Sequence, residues 1–323
     1  MVKLAAFFVH IHEGNMRLAT QMGVTDAVCG RPLDDAGPVW NLLPLLRLKQ
    51  RFADSGLNLS VIETIPISDR VKLGLPGRDE DIDLFIQSLR NMGGVGIPIL
   101  CYNWMAVFGW FRTSFTTRTR GGALVSSFDN ALLANAPPAT HEPITEEQLW
   151  DGLEYFLRAV IPVAEEVGVK LAMHPDDPPM SPVRGVPRIM CSVENFQRLL
   201  DLYPSPNNGI TFCQGNFGAL AGNVDMPALA RKWKGKIPFI HFRDVRGSVP
   251  KFEETFHDDG DHDMAALMRA YIEMGFDGPM RPDHAPTMEG EDNDHPGYMN
   301  QGRIYAIGYM RGLIDSVKSS PAS

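Results

Sequence analysis

Four apolar runs in the second half of the chain deliver residues able to bind a metal ion at or next to their ends. The run 170–174 closes on His174, 209–213 on Cys213 and 279–283 on Asp283, while 238–242 carries His241 as its penultimate residue. Two imidazoles, a thiolate and a carboxylate make a ligand set for a divalent transition ion, with positions left for a substrate or water. The four stand 39, 28 and 42 positions apart, so no short-range finger motif joins them. What they share is their place in the chain. A single His or Cys ending a buried strand is ordinary core, but four in succession point to one common rim. Softness alone suits Zn2+ or Fe2+ to a thiolate as well as it suits Mn2+.

Arg184, Arg188, Arg243 and Arg303 are candidates for holding a carboxylate or hydroxyls, with exposed salt bridges as the alternative. Asp176 and Asp177 follow His174 closely and either orient a ligand from behind or cap the loop before Pro178. Other motifs carry less. The run Asp258 to Asp263 has calcium-loop composition, but Met264 stands where the loop glycine belongs and no Glu closes it, so a solvated loop feeding a helix cap or an active-site loop is the reading. Gly93, Gly94 and Gly96 lack phosphate-binding spacing and mark a helix-to-strand turn. His10 and His12 follow the first strand, as polar surface or with one of them facing the rim.

The elements that must position these groups follow from periodicity. Short apolar runs at 4–9, 25–29, 59–63, 97–103, 170–174, 209–213, 238–242 and 279–283 alternate with amphipathic stretches at 39–53, 79–92, 146–167, 192–202, 226–232, 262–274 and 298–316, plus a short helix near 14–22. Eight buried strands alternating with about eight helices predict an α/β fold, a (β/α)8 barrel of parallel strands, over a doubly wound open sheet. Thr145 before Glu146 and Glu147 reads as a helix cap and Gly168 as a stop. Catalytic groups of such barrels come from the carboxyl ends of the strands. No Pro/Gly/Ser-rich linker divides residues 1–323, so one domain is expected, with 104–143 as a long insertion after the fourth strand. A long connection without an element of its own is usually a lid or a binding loop.

Composition bounds the function. Of 323 residues, 39 are acidic and 30 basic, for a net charge of -9. With no block of Lys and Arg, this argues against nucleic-acid binding or attachment to an anionic membrane. No apolar stretch reaches the length of a membrane span. Four widely spaced cysteines and the lack of a basic-then-apolar opening fit a cytoplasmic setting. A homo-oligomer, by default a dimer, is expected on general grounds.

The residues carry a family resemblance. Lys170 to Pro179, Thr211-Phe212-Cys213, Met280-Arg281-Pro282-Asp283-His284, Pro296-Gly297-Tyr298 and Gly302-Arg303 resemble the mannonate dehydratase family. Val61 to Ile67, Cys101 to Met105 and Ile161 to Val169 add to the match, which runs from about residue 58 to about 313. The resemblance implies a xylose-isomerase-like barrel that dehydrates D-mannonate to 2-keto-3-deoxy-D-gluconate with Mn2+ first, and Fe2+, Co2+ or Zn2+ as alternatives. It implies the same four ligands, His174, Cys213, His241 and Asp283, and His284 and Tyr298 as the proton-transfer pair. Arg303, His257 and Asn103 join Arg243 and Arg184 as substrate-binding candidates. For Tyr298 the alternative is an aromatic anchoring the last helix.

The chain departs from the family pattern at Cys29 to Pro32, where a His-His-containing strand end is expected, at Gly109 and Ser114 for two acids, and at Asp258 for a Glu. These changes fall where the sugar chain would lie, so a different aldonate is an alternative substrate. A divalent-metal sugar isomerase or epimerase on the same barrel is a second alternative, and a binding protein without turnover a third. Dehydration requires removal of a weakly acidic C2 proton and loss of a poor leaving group at C3. One base and one acid would supply the transfers, each contributing about 10² to 10⁴-fold. His284 is the expected base and Tyr298 the expected acid.

Overall fold

The computed structural model describes residues 2–32, 35 and 37–319. Residues 1, 33, 34, 36 and 320–323, which the one-domain expectation also spans, lie outside the described residues. Twelve strands are present among those described: β1 (Lys3–Phe8), β2 (Asp26–Cys29), β3 (Asn58–Glu63), β4 (Ile99–Tyr102), β5 (Ser114–Arg118), β6 (Leu124–Asp129), β7 (Lys170–Met173), β8 (Asn208–Cys213), β9 (Phe239–Phe242), β10 (Val245–Ser248), β11 (Lys251–Glu254) and β12 (Pro279–Pro282). The helices are α1 (Glu13–Gln21), α2 (Leu42–Ala53), α3 (Asp69–Lys72), α4 (Arg78–Gly94), α5 (Glu146–Val167), α6 (Val193–Leu202), α7 (Gln214–Gly218), α8 (Met226–Lys232), α9 (Met264–Glu273) and α10 (Asn300–Ser319).

Eight strands close a parallel barrel in the order β1-β12-β9-β8-β7-β4-β3-β2. These are the eight runs expected from the sequence, and the closed parallel sheet bears out the (β/α)8 expectation. Ala5, Val28, Val61, Ile99, Ala172 and Phe239 pack as a cluster apart from the main core, the fill of the barrel's interior. Residues of opposite parity, such as Leu4, Ala27, Ile62 and Leu100, join the main core with the apolar faces of the helices. Alternation along fully buried strands thus divides each one between the two sides.

Helix ends follow local chemistry. Thr145 and Gln148 form a reciprocal capping box at the start of α5, and Gly168 (φ 72°) ends the helix in the left-handed region that glycine adopts without strain. Asp263 caps α9 through Ala266 N at 2.8 Å, Asp258 pairs with Arg120 at 2.9 Å, Asp259 pairs with Arg246 at 3.5 Å and Asp261 accepts from Gly247 N at 2.7 Å, so all four aspartates of the run 258–263 have structural partners.

The insertion 104–143 departs from its expected lack of structure. It contains β5 and β6, which pair antiparallel, and β6 pairs with β11 of the hairpin β10–β11 from the connection after β9. Two connections of the barrel therefore share one four-stranded flap, ordered β10-β11-β6-β5. A bridge between Leu124 and Thr287 ties this flap to the connection after β12. The flap strands are short and partly exposed, and β5 reads Ser-Phe-Thr-Thr-Arg. Such a segment has no hydrophobic period to announce it. Among the described residues no helix is long and apolar enough to cross a membrane.

Candidate active site

The carboxyl ends of the barrel strands surround a cavity of about 690 Å³, open mouth included, lined by Glu63, Asn103, Trp110, His174, His241, Arg281, Asp283, His284 and Tyr298, among others. Most of these side chains stand at or next to a strand end, while Trp110 and Tyr298 come from farther along the connections after β4 and β12.

At the floor, ligating atoms of His174, Cys213 and His241 all lie within 4.8 Å of one another. His174 Nε2 is 3.2 Å from His241 Nδ1, and Asp283 Oδ2 is 3.6 Å from that Nδ1 and 3.7 Å from Cys213 Sγ. Burial depresses both imidazoles, His174 to about 4, so the rings are neutral and offer lone pairs. Burial pushes the Cys213 thiol well up, with Arg243 acting against it.

The charges around this floor suit a divalent ion. Four buried or partly buried carboxylates, Glu63, Asp177, Glu254 and Asp283, face three buried guanidinium groups, Arg112, Arg243 and Arg281. Burial alone would raise Glu63 and Asp283, but the adjacent cations outweigh it and hold both below the ordinary carboxylate range. One negative charge is left over, and a thiolate at Cys213 would make it two. A divalent cation balances that set, and the donor types are those such ions take from proteins.

His284 and Tyr298 lie beside this cluster. His284 Nδ1 is 2.9 Å from Glu254 Oε1, and Nε2 is 3.8 Å from Asp283 Oδ1. The Tyr298 hydroxyl lies 3.5 Å from the same Oδ1, and its ring meets His284 edge-on at 5.3 Å. Burial, reinforced by Asp283, pushes the phenol up, so it keeps its proton at neutral pH. Trp110, from the flap connection, covers His284 at 4.9 Å between ring centroids.

The expected substrate-binding residues divide. Asn103 lines the cavity. Arg243 does not line it: its guanidinium is buried between Asp177, Asp283 and Glu254, within 3.3 Å of each. His257 is fully buried behind β9, with Nε2 2.9 Å from Phe242 O. Arg184 donates to Pro137 O at 3.1 Å, away from the cavity lining. Arg303 donates to Phe7 O and to Tyr298 O, holding the backbone beneath the phenol. Arg188 grips Phe108 O at 2.8 Å. A sequence position beyond a strand end fixes where a side chain starts, while the partner it reaches depends on the whole rim. The two aspartates after His174 also divide: Asp177 pairs with Arg112 and Arg243, and Asp176 accepts from Met190 N at 2.7 Å within the loop.

Five residues of the site carried no role in the sequence reading: Glu63, Trp110, Arg112, Glu254 and Arg281. The rule that singled out His174 and Cys213 also reaches Glu63, which closes β3. Glu254 and Arg112 sit on and before flap strands, and no strand-end rule applies there.

A closed parallel barrel with a His, Cys and Asp cluster at its strand ends has the layout of a (β/α)8 enzyme, whose chemistry sits at the carboxyl face of the strands. A solved L-ribulose 3-epimerase shares the fold at a TM-score of 0.62 over the full length of both chains, at 13% identity. More specific likenesses single out one branch. A family model described as D-mannonate dehydratase (UxuA) matches residues 14–141 and 137–322, and the chain belongs to that family. Mannonate dehydratase 2 of Halalkalibacterium halodurans is 38% identical over 311 residues, covering 88% of this chain and 89% of that protein. Mannonate dehydratase of Streptococcus equi subsp. zooepidemicus is 36% identical over 322 residues, covering 91% and 87%. The crystal structure of mannonate dehydratase from Streptococcus suis serotype 2 superposes with a TM-score of 0.91 at 33% identity, covering 98% of this chain and 95% of that one. The resemblance read from the motifs is borne out.

Proposed function

We propose that the protein dehydrates D-mannonate to 2-keto-3-deoxy-D-gluconate and water, using a divalent metal, manganese first, held by His174, Cys213, His241 and Asp283. When bound, such an ion supplies Lewis-acid stabilisation of the negative charge that develops on the substrate carboxylate as C2 loses its proton. His284 Nε2 takes that proton. The Tyr298 hydroxyl gives its proton to the C3 hydroxyl, which leaves as water; the enol that remains gains a proton at C3 and gives up its hydroxyl proton to become the 2-keto product, which returns His284 and Tyr298 to their starting states.

One observation carries this reading. The carboxylate of Asp283 spans the ligand cluster and the proton-transfer pair, with Oδ2 3.6 Å from His241 Nδ1 and Oδ1 3.5 Å from the Tyr298 hydroxyl. A sugar acid bound at the cluster through its carboxylate and C2 hydroxyl would have C2 and C3 beside His284 and Tyr298. Asn103 lines the same cavity and is available to a substrate hydroxyl. Arg281, paired with both Glu63 and Asp283 at 2.8 Å, fixes the ligand carboxylate in place.

The chain acts as one barrel unit with 104–143 as its cover, in the cytoplasm and as a dimer. Four free cysteines fit a reducing compartment. The test is incubation with D-mannonate and Mn2+ and detection of a 2-keto-3-deoxy acid, followed by a panel of other hexonates and pentonates. Absence of that product across the panel, or a rearranged sugar without loss of water, would overturn the reading.

A further inference from the structure

Glu254 does not belong to the barrel. It ends β11 in the flap, yet it is only 2% exposed, and its Oε1 lies 2.9 Å from His284 Nδ1. Two buried guanidinium groups hold it from the other side. Arg112 Nη2 is 2.7 Å from Oε1, and Arg243 Nε is 2.9 Å from Oε2. Arg112 itself precedes β5 and also grips Asp177, so both halves of the flap converge on this one carboxylate.

A carboxylate between two guanidinium groups is ionised, and an ionised carboxylate only accepts hydrogen bonds. The hydrogen between Glu254 and His284 therefore sits on Nδ1. In the neutral ring, Nε2 is then left with its lone pair, on the side chain that lines the cavity. With the opposite tautomer, Nε2 would carry a hydrogen and be unable to accept another proton.

We propose that Glu254 is a positioning residue for the dehydration: it fixes His284 as the Nδ1–H tautomer, so that Nε2 is the atom that takes the C2 proton. This rests on the reading of His284 as the base. The flap then acts as more than a cover, because the base has its working tautomer only when β11 is docked on the rim. The competing account is that Glu254 merely neutralises Arg112 and Arg243 and stabilises the fold.

The two accounts separate in a double-mutant cycle. In Glu254→Gln the amide nitrogen must face either His284 with Arg112 or Arg243, and the tautomer is no longer fixed. The expected result is a fall in kcat of about 10² to 10⁴-fold, with KM for D-mannonate and Mn2+ content per chain little changed. On a His284→Asn background the same substitution should cost nothing further. An equal loss in both backgrounds, or full turnover in Glu254→Gln, overturns the proposal. Full turnover in His284→Asn alone removes the base assignment, and the proposal with it, whatever Glu254→Gln does. Should Glu254→Gln not fold, histidine 15N NMR of the unsubstituted, zinc-loaded protein decides, with the His284 signal assigned by its loss in His284→Asn. Hydrogen on Nδ1 alone supports the proposal, and hydrogen on Nε2, whether alone or together with Nδ1, overturns it.

Discussion

His174 and His241 face one another with nitrogens 3.2 Å apart, Nε2 of the first against Nδ1 of the second. The Nδ1 of His174 lies 2.7 Å from Pro175 O, which only accepts, so that nitrogen carries the hydrogen and Nε2 presents a lone pair. His241 Nε2 stands 3.4 Å from Glu63 Oε1, a carboxylate that Arg281 keeps ionised despite its burial. A hydrogen on His241 Nε2 faces that carboxylate across 3.4 Å and turns a second lone pair toward the first. Two lone pairs at this separation are reconciled by a cation that both can bind. Carbonyl and carboxylate partners behind ligating imidazoles are the usual means of orienting them.

Removing the thiolate should therefore remove the metal before it removes the fold. Cys213→Ser is expected to retain Mn2+ about 10-fold less well or worse, with a thermal midpoint close to that of the metal-free parent. Metal content per chain after dialysis, measured by mass spectrometry, is the readout. Retention equal to the parent would remove Cys213 from the ligand set.

Gly215 shows how closely the rim is packed. A Cβ on it would lie 2.7 Å from Arg243 Cζ and closer still to Nε. Gly215→Ala must push the guanidinium out of its place between Glu254 and Asp283. Overpacking of this kind costs about 1–3 kcal/mol, and the displaced arginine should also lower kcat. Urea unfolding and steady-state kinetics on the same preparation check both, and a variant with parental stability and rate would contradict the packing argument.

How much of this was legible in the sequence depended on where a residue sits. His174, Cys213, His241 and Asp283 are legible because each lies at or next to the end of an apolar run, and a barrel brings all such ends to one face. Glu63 obeys the same rule, but its partner Arg281 is 218 positions away, and no local pattern reports that pairing. The flap was invisible for a different reason. Its register joins Ser127 to Glu253, and its strands are held as much by neighbours as by their own apolar content. Arg243 was placed correctly in sequence and wrongly in role, since its side chain turns inward to Asp283 at 3.1 Å and leaves the cavity lining to others.

Trp110 is the flap's direct contribution to the chemistry. It packs on His284, meets Phe115 edge-on at 5.3 Å and has the Arg112 guanidinium 5.3 Å from its ring centroid. Trp110→Ala opens His284 to water and removes one wall of the cavity. A loss of about 10 to 100-fold in kcat/KM is expected, with metal content unchanged. Trp110→Phe should recover much of it, because a smaller ring still covers the imidazole. If the alanine variant is as fast as the parent, the covering role is wrong.

Lys72 provides a pH prediction away from the metal. Its Nζ donates to Met105 O at 2.7 Å, helping Arg188 and Asp69 to hold the segment 105–108 that leads to Trp110. Burial lowers this amine from its ordinary 10.5 to about 8, with Arg188 adding to the fall and Asp69 and Asp176 opposing it. The folded state binds the proton less tightly than the unfolded chain, so between about pH 8 and 10.5 the unfolded state carries more protons and stability rises with pH. The contribution is complete above the unfolded value and is lost as pH falls through the folded one. Lys72→Met lacks this dependence. From pH 7.5 to 10.5 the parent should therefore gain on the variant by at most roughly 2 to 3 kcal/mol in urea unfolding. A difference that stays flat with pH would mean that Lys72 keeps an ordinary proton affinity in the fold.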